Sequence, residues 1–100
     1  MPNEPIQYAI TAYAVQYNID ASFIRELHER GLIQLEKQQE EFYVVEEQLP
    51  QLDHFTRLHC DFEINAAGIE VVEELLSKIE YLQSQVRLLR SKATLLKDLD

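Results

Sequence analysis

Glycine and proline are scarce in this chain, with two Gly and three Pro among its 100 residues. Because these residue types interrupt regular structure more than any others, a few long elements joined by short loops are expected. One cysteine, Cys60, excludes an intramolecular disulfide. No apolar run is long enough to span a bilayer, and no basic segment followed by an apolar one resembles a secretory leader. These absences predict a soluble, cytoplasmic protein with no membrane association.

Basic side chains are also few, since nine Lys and Arg stand against 18 Asp and Glu, for a net charge of −9. Residues 1–50 hold three basic side chains and nine acidic ones, a net charge of −6. A locally basic stretch lies near the C-terminus and contains Arg87, Arg90, Lys92 and Lys97. An acidic chain is repelled by phosphate backbones unless its basic residues are gathered on one face. The composition therefore argues against nucleic acid as a partner.

The sequence does contain enough hydrophobic residues, 46% of the chain, to form the core of one small domain. Residues 6–10 are short and β-prone, which predicts a strand. Thr11 then occupies an N-cap position, and residues 12–17 are predicted to form a brief helix with Ala12 and Val15 on its apolar face and Tyr13 as a further candidate for it.

A second helix is predicted from Asp20, its N-cap, through Arg30. Gly31 follows directly, where a left-handed residue after a helix end is favoured. Two helices of about two turns joined by a short turn have the dimensions of a helix-turn-helix. The predicted inward stripe of the second helix contains Phe23, Ile24 and Leu27.

The pattern changes after Gly31. The β-prone segments 32–35 and 42–45 flank the polar segment 36–41, which predicts a hairpin with a solvated tip, the wing of a winged helix. A helix over residues 46–61 follows, with Pro50 near its first turn, and Asn65 is placed to cap the last helix. The predicted buried stripe of the 46–61 helix contains Leu49, Leu52, Phe55, Leu58 and Phe62.

The last helix carries the strongest periodic signal, two sets of apolar residues that each repeat every seven residues. This spacing defines the a and d positions of a coiled coil, and β-branched a residues with leucine at d favour two strands. We therefore expect a homodimer. An antiparallel arrangement is favoured because a parallel one sets Lys92 opposite Lys97 of its mate, although either orientation satisfies the repeat. The a positions are Val72, Ile79, Val86 and Ala93, and the d positions are Leu75, Leu82, Leu89 and Leu96.

Three segments, residues 8–11, 18–25 and 29–33, resemble the head of MerR-type regulators. Segment 57–69, together with the leucine-rich helix after it, resembles the chaperone-modulator CbpM family. The resemblance covers nearly the whole chain and implies a mainly α fold. In that fold a MerR-like winged helix-turn-helix head over residues 1–64 precedes a long coiled-coil helix over residues 65–100, packed with the head as one domain.

The resemblance also implies a function: a non-enzymatic inhibitor that binds the J-domain of a DnaJ-like co-chaperone, such as CbpA, and keeps it from Hsp70. No cofactor and no small-molecule ligand are implied. J-domains present a basic helix to Hsp70, and the −6 head is complementary to such a surface. The predicted docking residues are the acidic side chains of the wing and the segment after it: Glu36, Glu40, Glu41, Glu46 and Glu47.

Two alternatives stay open at this point, one for the role of the glutamates and one for the function of the protein. The same glutamates also fit a solvated loop followed by acids that complement a helix dipole. The alternative function is a MerR-type DNA-binding transcriptional regulator without an effector domain. Against it, the second helix exposes Glu26 and Glu29 to the groove, and Arg25 is placed to pair with Glu29 one turn away.

Metal binding and catalysis find no support in the sequence. His54 and His59 lie five residues apart, and no second cysteine or paired histidine motif completes a tetrahedral site with Cys60. Cys60 itself is expected to be buried or half-buried as a small apolar residue. The chain also has no nucleophile triad and no phosphate-binding glycine loop, so no enzymatic activity is expected.

Overall fold

The computed structural model describes residues 6–98 and confirms a mainly α fold with a winged helix-turn-helix head and a long C-terminal helix. Three short strands form one antiparallel sheet in the order β1-β3-β2. A single 3₁₀ turn, Glu46–Gln48, links the sheet to the third helix. The strands are β1 Gln7–Ala9, β2 Glu36–Gln38 and β3 Glu41–Val45, and the helices are α1 Ile10–Tyr17, α2 Ala21–Glu29, α3 Leu49–Phe62 and α4 Ala66–Asp98.

The chain divides into two compact units, one that extends to Glu70 and one that starts at Val71. The first unit holds the sheet, α1, α2, α3 and the first residues of α4. The second consists of the remainder of α4. The predicted organisation, a head over residues 1–64 packed with the helix over 65–100 as one domain, stays a prediction.

Helix α1 begins earlier than the sequence pattern predicts. Its N-cap is Ala9, directly after β1, and Thr11 lies inside the first turn, where its hydroxyl donates to Oε1 of Glu41 at 3.3 Å. The buried face is therefore Ile10, Tyr13 and Ala14, whereas Val15 is 82% exposed and Ala12 is exposed. The predicted cap is wrong because the helix starts directly from the strand, and of the predicted apolar face Ala12 and Val15 are wrong while Tyr13 is confirmed.

Helix α2 matches its prediction closely. Oδ1 of Asp20 accepts a hydrogen bond of 2.8 Å from the backbone N–H of Ser22, which satisfies one of the free donors at the helix start. Gly31 has a φ of +77°, the left-handed conformation in which glycine carries no Cβ strain. The predicted stripe of Phe23, Ile24 and Leu27 is buried.

The wing exists, but its first strand does not lie where the sequence indicates. The apolar segment 32–35 is not a strand, and the polar residues of β2 pair with β3 instead, with Glu36 opposite Tyr43. Ile33 is 1% exposed because it belongs to the core. The strands are joined by Gln39 and Glu40, which both have positive φ values, 48° and 71°, as a two-residue type I′ turn requires.

The predicted helix over 46–61 is divided into the 3₁₀ turn and α3, with Pro50 as the second residue of α3. Leu52 and Phe55 are fully buried, as predicted. Phe62 is 67% exposed, so its assignment to the buried stripe is wrong; it is the last residue of α3 and lies beyond the core. Asn65 caps α4 as predicted, since its Oδ1 accepts from the N–H of Gly68 at 2.8 Å.

The core of the first unit lies between the sheet, the helix-turn-helix and the start of α4. Its fully buried members come from all four α-helices, from β3 and from the segment between α2 and β2, which contributes Ile33. The largest of them are Phe55, Ile10, Ile24, Leu27, Ile33, Leu52, Ile69 and Val44.

Candidate partner-binding surface

The predicted acidic residues fall into two groups on the surface of the first unit. Glu36 lies in β2, Glu40 in the turn and Glu41 at the start of β3. Glu36 and Glu40 are exposed, whereas Glu41 is half-buried and accepts the hydrogen bond from Thr11. We call Glu36, Glu40 and Glu41 the wing group.

The second group, Glu46 and Glu47, lies at the other end of β3 in the 3₁₀ turn, and both residues are exposed. At about 3.3 Å per residue, the backbones of Glu41 and Glu46 are about 16 Å apart. This exceeds the Debye length of about 8 Å at physiological ionic strength, so Glu40 and Glu41 act on a partner largely independently of Glu46 and Glu47, whereas Glu36, opposite Tyr43, lies between them. We call Glu46 and Glu47 the base group.

The exposed arginines at α2 are Arg25 and Arg30, and Arg30 is held by acidic side chains. Arg30 forms both ion pairs found among residues 6–98, with Glu26 (Nε to Oε2, 3.4 Å) and with Glu70 (Nη1 to Oε2, 2.7 Å). Its hydrogen bond to Glu70 raises the pKa of the Arg30 guanidinium further above its usual value. The predicted pair of Arg25 with Glu29 is wrong, because the α2 acid that is engaged is Glu26, which faces Arg30 one turn on.

A second feature of the head, which the sequence analysis did not find, is a small pocket between α1, α3 and the end of β1. It has a volume of about 160 Å³ and is lined by Tyr8, Tyr13, Gln16, Tyr17, Leu49 and Asp53. The Tyr13 hydroxyl donates to Oδ1 of Asp53 at 2.6 Å and lies 3.1 Å from Oγ1 of Thr56. Burial and the hydrogen bond to Asp53 raise the pKa of Tyr13 well above the usual tyrosine value, so Tyr13 is a permanent donor.

The family model for MerR HTH family regulatory proteins matches residues 8–91. The chain belongs to the MerR helix-turn-helix family of regulatory proteins. No curated protein and no solved structure matches it.

In this MerR-family domain two of the three histidines, His28 and His59, hydrogen-bond the chain that follows their helix. His59 stacks on Phe23, with ring centroids 4.0 Å apart, and its Nδ1 hydrogen-bonds the carbonyl oxygen of Ile64 at 2.8 Å. His28 makes the equivalent bond to the carbonyl oxygen of Ile33 at 3.3 Å.

Cys60 is exposed, so the expectation of a buried or half-buried thiol is wrong; it lies on the outer side of α3. In the part of the chain that the structure describes, no three His, Cys, Asp or Glu residues are arranged to hold a metal ion.

The seven-residue repeat of the family domain lies within α4, which has 33 residues and is about 50 Å long. In the single chain its apolar residues are open to solvent, with Leu82 59% and Leu89 63% exposed. Among residues 6–98 no helix is both long enough and apolar enough to cross a membrane. These leucines of the stripe are uncovered in the single chain.

Proposed function

We propose that this MerR-family domain is a chaperone modulator of the CbpM type, which binds the J-domain of a DnaJ-like co-chaperone and inhibits it without enzymatic activity. One observation carries the proposal. The wing and base groups expose carboxylates at both ends of β3, while Arg30 on the helix-turn-helix is held by Glu26 and Glu70. The exposed charge of the head is therefore that of a surface suited to a basic partner. The resemblance of segment 57–69 to the CbpM family supports the same function.

The spacing of the two acidic groups suits a helical partner. A separation of about 16 Å corresponds to about three turns of an α-helix, at 5.4 Å per turn. A basic helix of the J-domain laid along β3 would therefore meet the wing group at one end and the base group at the other. Opposite potentials of this kind accelerate association and select against acidic partners. A bound J-domain would then have its basic helix covered and be kept from Hsp70.

Dimerisation belongs to the proposed function as well. The exposed a and d residues of α4 would be buried by the same stripe of a second copy, which gives a homodimer with an apolar seam. An antiparallel pair would avoid the contact of Lys92 with Lys97 of the mate. The two heads of such a dimer would each offer one acidic surface.

The second candidate function is DNA binding, which the family match itself favours. The head has a helix-turn-helix and a wing, the elements with which such proteins contact a duplex. Against it, phosphate contacts supply most of the affinity for DNA, and the wing carries one cation, Lys37, whose ammonium lies 5.6 Å from the centre of the Phe42 ring. We therefore rank DNA binding second.

The experiment that tests the proposal compares the two partners directly. Purified full-length protein is titrated with the isolated J-domain of a DnaJ-like co-chaperone from the same cell, and separately with a mixture of random duplexes, at 0.1 M salt. Saturable binding to the J-domain, with loss of its stimulation of Hsp70 ATP hydrolysis, is the expected result. DNA binding without J-domain binding would contradict the proposal and support the alternative. A pull-down from cell extract followed by mass spectrometry identifies the co-chaperone to use.

A further inference from the structure

The pocket between α1 and α3 has the composition of a site for a cation. Three of its six lining residues are tyrosines, one is an aspartate, and none is basic. Tyrosine rings attract cations through the negative face of the π system, and a carboxylate supplies a full opposite charge. An organic cation can contact both kinds of group in one small space.

The geometry keeps these groups available at the surface. The Tyr13 and Tyr17 rings stack with centroids 4.4 Å apart, which fixes the Tyr17 ring while leaving the residue 42% exposed. Tyr8 is 41% exposed on the other side of the pocket. The Tyr13 hydroxyl occupies Oδ1 of the half-buried Asp53, and the hydrogen bonds of the described residues do not involve Oδ2. One carboxylate oxygen is therefore held in place and the other can accept from a ligand.

The negative charge of the surface next to the pocket favours a protein as the molecule that carries the cation. Leu49, which lines the pocket, directly follows the 3₁₀ turn that holds the base group. The pocket thus continues the acidic surface toward α1. A groove of about 400 Å³ adjoins it and shares Tyr17 and Asp53; it also contains Asp61 and one cation, Arg57, one helical turn from Asp53. The pocket itself has no basic lining residue, and together with the base group it forms a negatively charged surface that a basic protein surface fits.

We propose that the pocket formed by Tyr8, Tyr17 and Asp53 receives an arginine or lysine side chain from the protein partner that docks on the base group. This inference rests on the proposed function, since it takes that partner to be the J-domain. The incoming cation lies against the Tyr17 ring and donates to Oδ2 of Asp53. A side chain inserted here anchors the partner, whereas the exposed glutamates attract it.

The test uses two variants of the full-length protein and measures their affinity for the J-domain. Asp53→Asn keeps an acceptor oxygen for Tyr13 but removes the charge, and we expect it to weaken binding about tenfold, as loss of a charged hydrogen bond does. Tyr17→Leu keeps an apolar side chain but removes the π face and should weaken binding about fivefold, whereas Tyr17→Phe keeps the ring and should bind like wild type. The matched control is Glu29→Gln, which removes one exposed charge from α2 and should change the affinity less than twofold.

Failure of this inference is distinct from failure of the proposed function. If the wild-type protein binds the J-domain and both Asp53→Asn and Tyr17→Leu, shown by thermal melting to be folded, bind equally well, the pocket has no role and the proposed function stands. If the wild-type protein binds no J-domain, titration with N-acetyl-arginine amide decides the matter by nuclear magnetic resonance. Shifts at Tyr17 and Asp53 that Asp53→Asn abolishes would support the cation pocket, and their absence would overturn it.

Discussion

Tyr13 and Asp53 lie 40 residues apart in the sequence, and their side chains are joined by a hydrogen bond of 2.6 Å. The bond connects α1 to α3 across the edge of the core, with Thr56 as a second neighbour of the Tyr13 hydroxyl. Tyr13 is 6% exposed, so its hydroxyl has little access to water in place of these partners. The two helices are therefore joined by a buried polar contact as well as by the apolar core.

Replacing Tyr13 by Phe tests the contribution of this contact. The variant keeps the ring but leaves Asp53 without its donor, and we expect the free energy of unfolding at neutral pH to fall by about 1–2 kcal/mol. Chemical denaturation followed by circular dichroism measures the change. An unaltered denaturation midpoint would show that water replaces the hydroxyl without loss.

The same pair predicts a pH dependence with a definite sign. Folding raises the pKa of Tyr13, so the folded state retains a proton that the unfolded state releases near pH 10. The stability that Tyr13 contributes is fully present below about pH 10 and is lost as the pH rises above that value. Melting curves from pH 7 to 11 should therefore show the difference between wild type and Tyr13→Phe decreasing above pH 10. Tyr81→Phe, which alters an exposed ring on α4, should match wild type throughout.

Dimerisation through α4 is tested by the double variant Leu82→Asp/Leu89→Asp. Each substitution would bury a charge without a partner in the seam, which costs several kcal/mol and should give a monomer. Sedimentation equilibrium at micromolar concentrations measures the mass. The matched control is Tyr81→Asp/Leu88→Asp, which alters the preceding residue in each case and lies outside the a and d positions. A monomeric wild-type protein, or a dimeric Leu82→Asp/Leu89→Asp variant, would contradict the seven-residue repeat as an interface.

Reversing the base group tests electrostatic attraction. Glu46→Lys/Glu47→Lys should lower the association rate constant for the J-domain about tenfold at 0.1 M salt. The difference from wild type should shrink toward 1 M salt, where the Debye length is about 3 Å. Surface plasmon resonance at the two salt concentrations measures both effects.

The control for this reversal must carry the same change in total charge. Glu74→Lys/Glu80→Lys does so on exposed positions of α4 in the second unit, outside the a and d positions. If the two double variants associate equally slowly, net charge rather than the base group explains the effect. Melting curves account for the small penalty of placing lysines beside the start of α3.

The sequence was sufficient to predict α2 because all its determinants are local. Asp20 caps the helix from two residues away, Gly31 ends it, and the stripe of Phe23, Ile24 and Leu27 repeats at helical spacing. The wing was predicted to exist but with the wrong first strand. Residues 32–35 have the β propensity, but Ile33 is buried in the core. The strand β2 forms instead from polar residues that pair with β3. Tertiary context therefore overrides propensity at this site.

The tyrosine pocket illustrates what local patterns cannot supply. Tyr13 and Tyr17 are one helical turn apart, a spacing visible in the sequence and explained equally well by an ordinary core face. No residue near Tyr13 or Tyr17 in the sequence predicts that Asp53 lies beside them. Asp53 lines the pocket because α1 and α3 pack together in the fold. The separation of the wing group from the base group, by contrast, follows from the local pattern, which places segment 36–41 at a hairpin tip and ends the second strand just before Glu46.

Glu63 offers a test of backbone strain. It follows α3 with a φ of 56°, a left-handed conformation that disfavours residues with a Cβ by about 1–2 kcal/mol. Glu63→Gly should raise the free energy of unfolding by about 0.5–1 kcal/mol, since glycine removes the strain but has more freedom to lose on folding. Glu63→Ala removes the same charge without relieving the backbone and should give no such gain. Equal midpoints for the two variants in urea would show that the side chain, not the backbone, matters.

The wing turn combines this strain with a charge that the proposed function uses. Gln39 and Glu40 both adopt left-handed backbone conformations in a chain with only two glycines. Glycine at position 40 would relax the turn but would delete a carboxylate of the wing group. The same substitution would therefore raise the stability of the fold and lower the negative charge of the wing group. Laboratory evolution under heat stress alone should therefore make the tip less acidic, whereas selection for partner capture should retain Glu40 and its strained backbone.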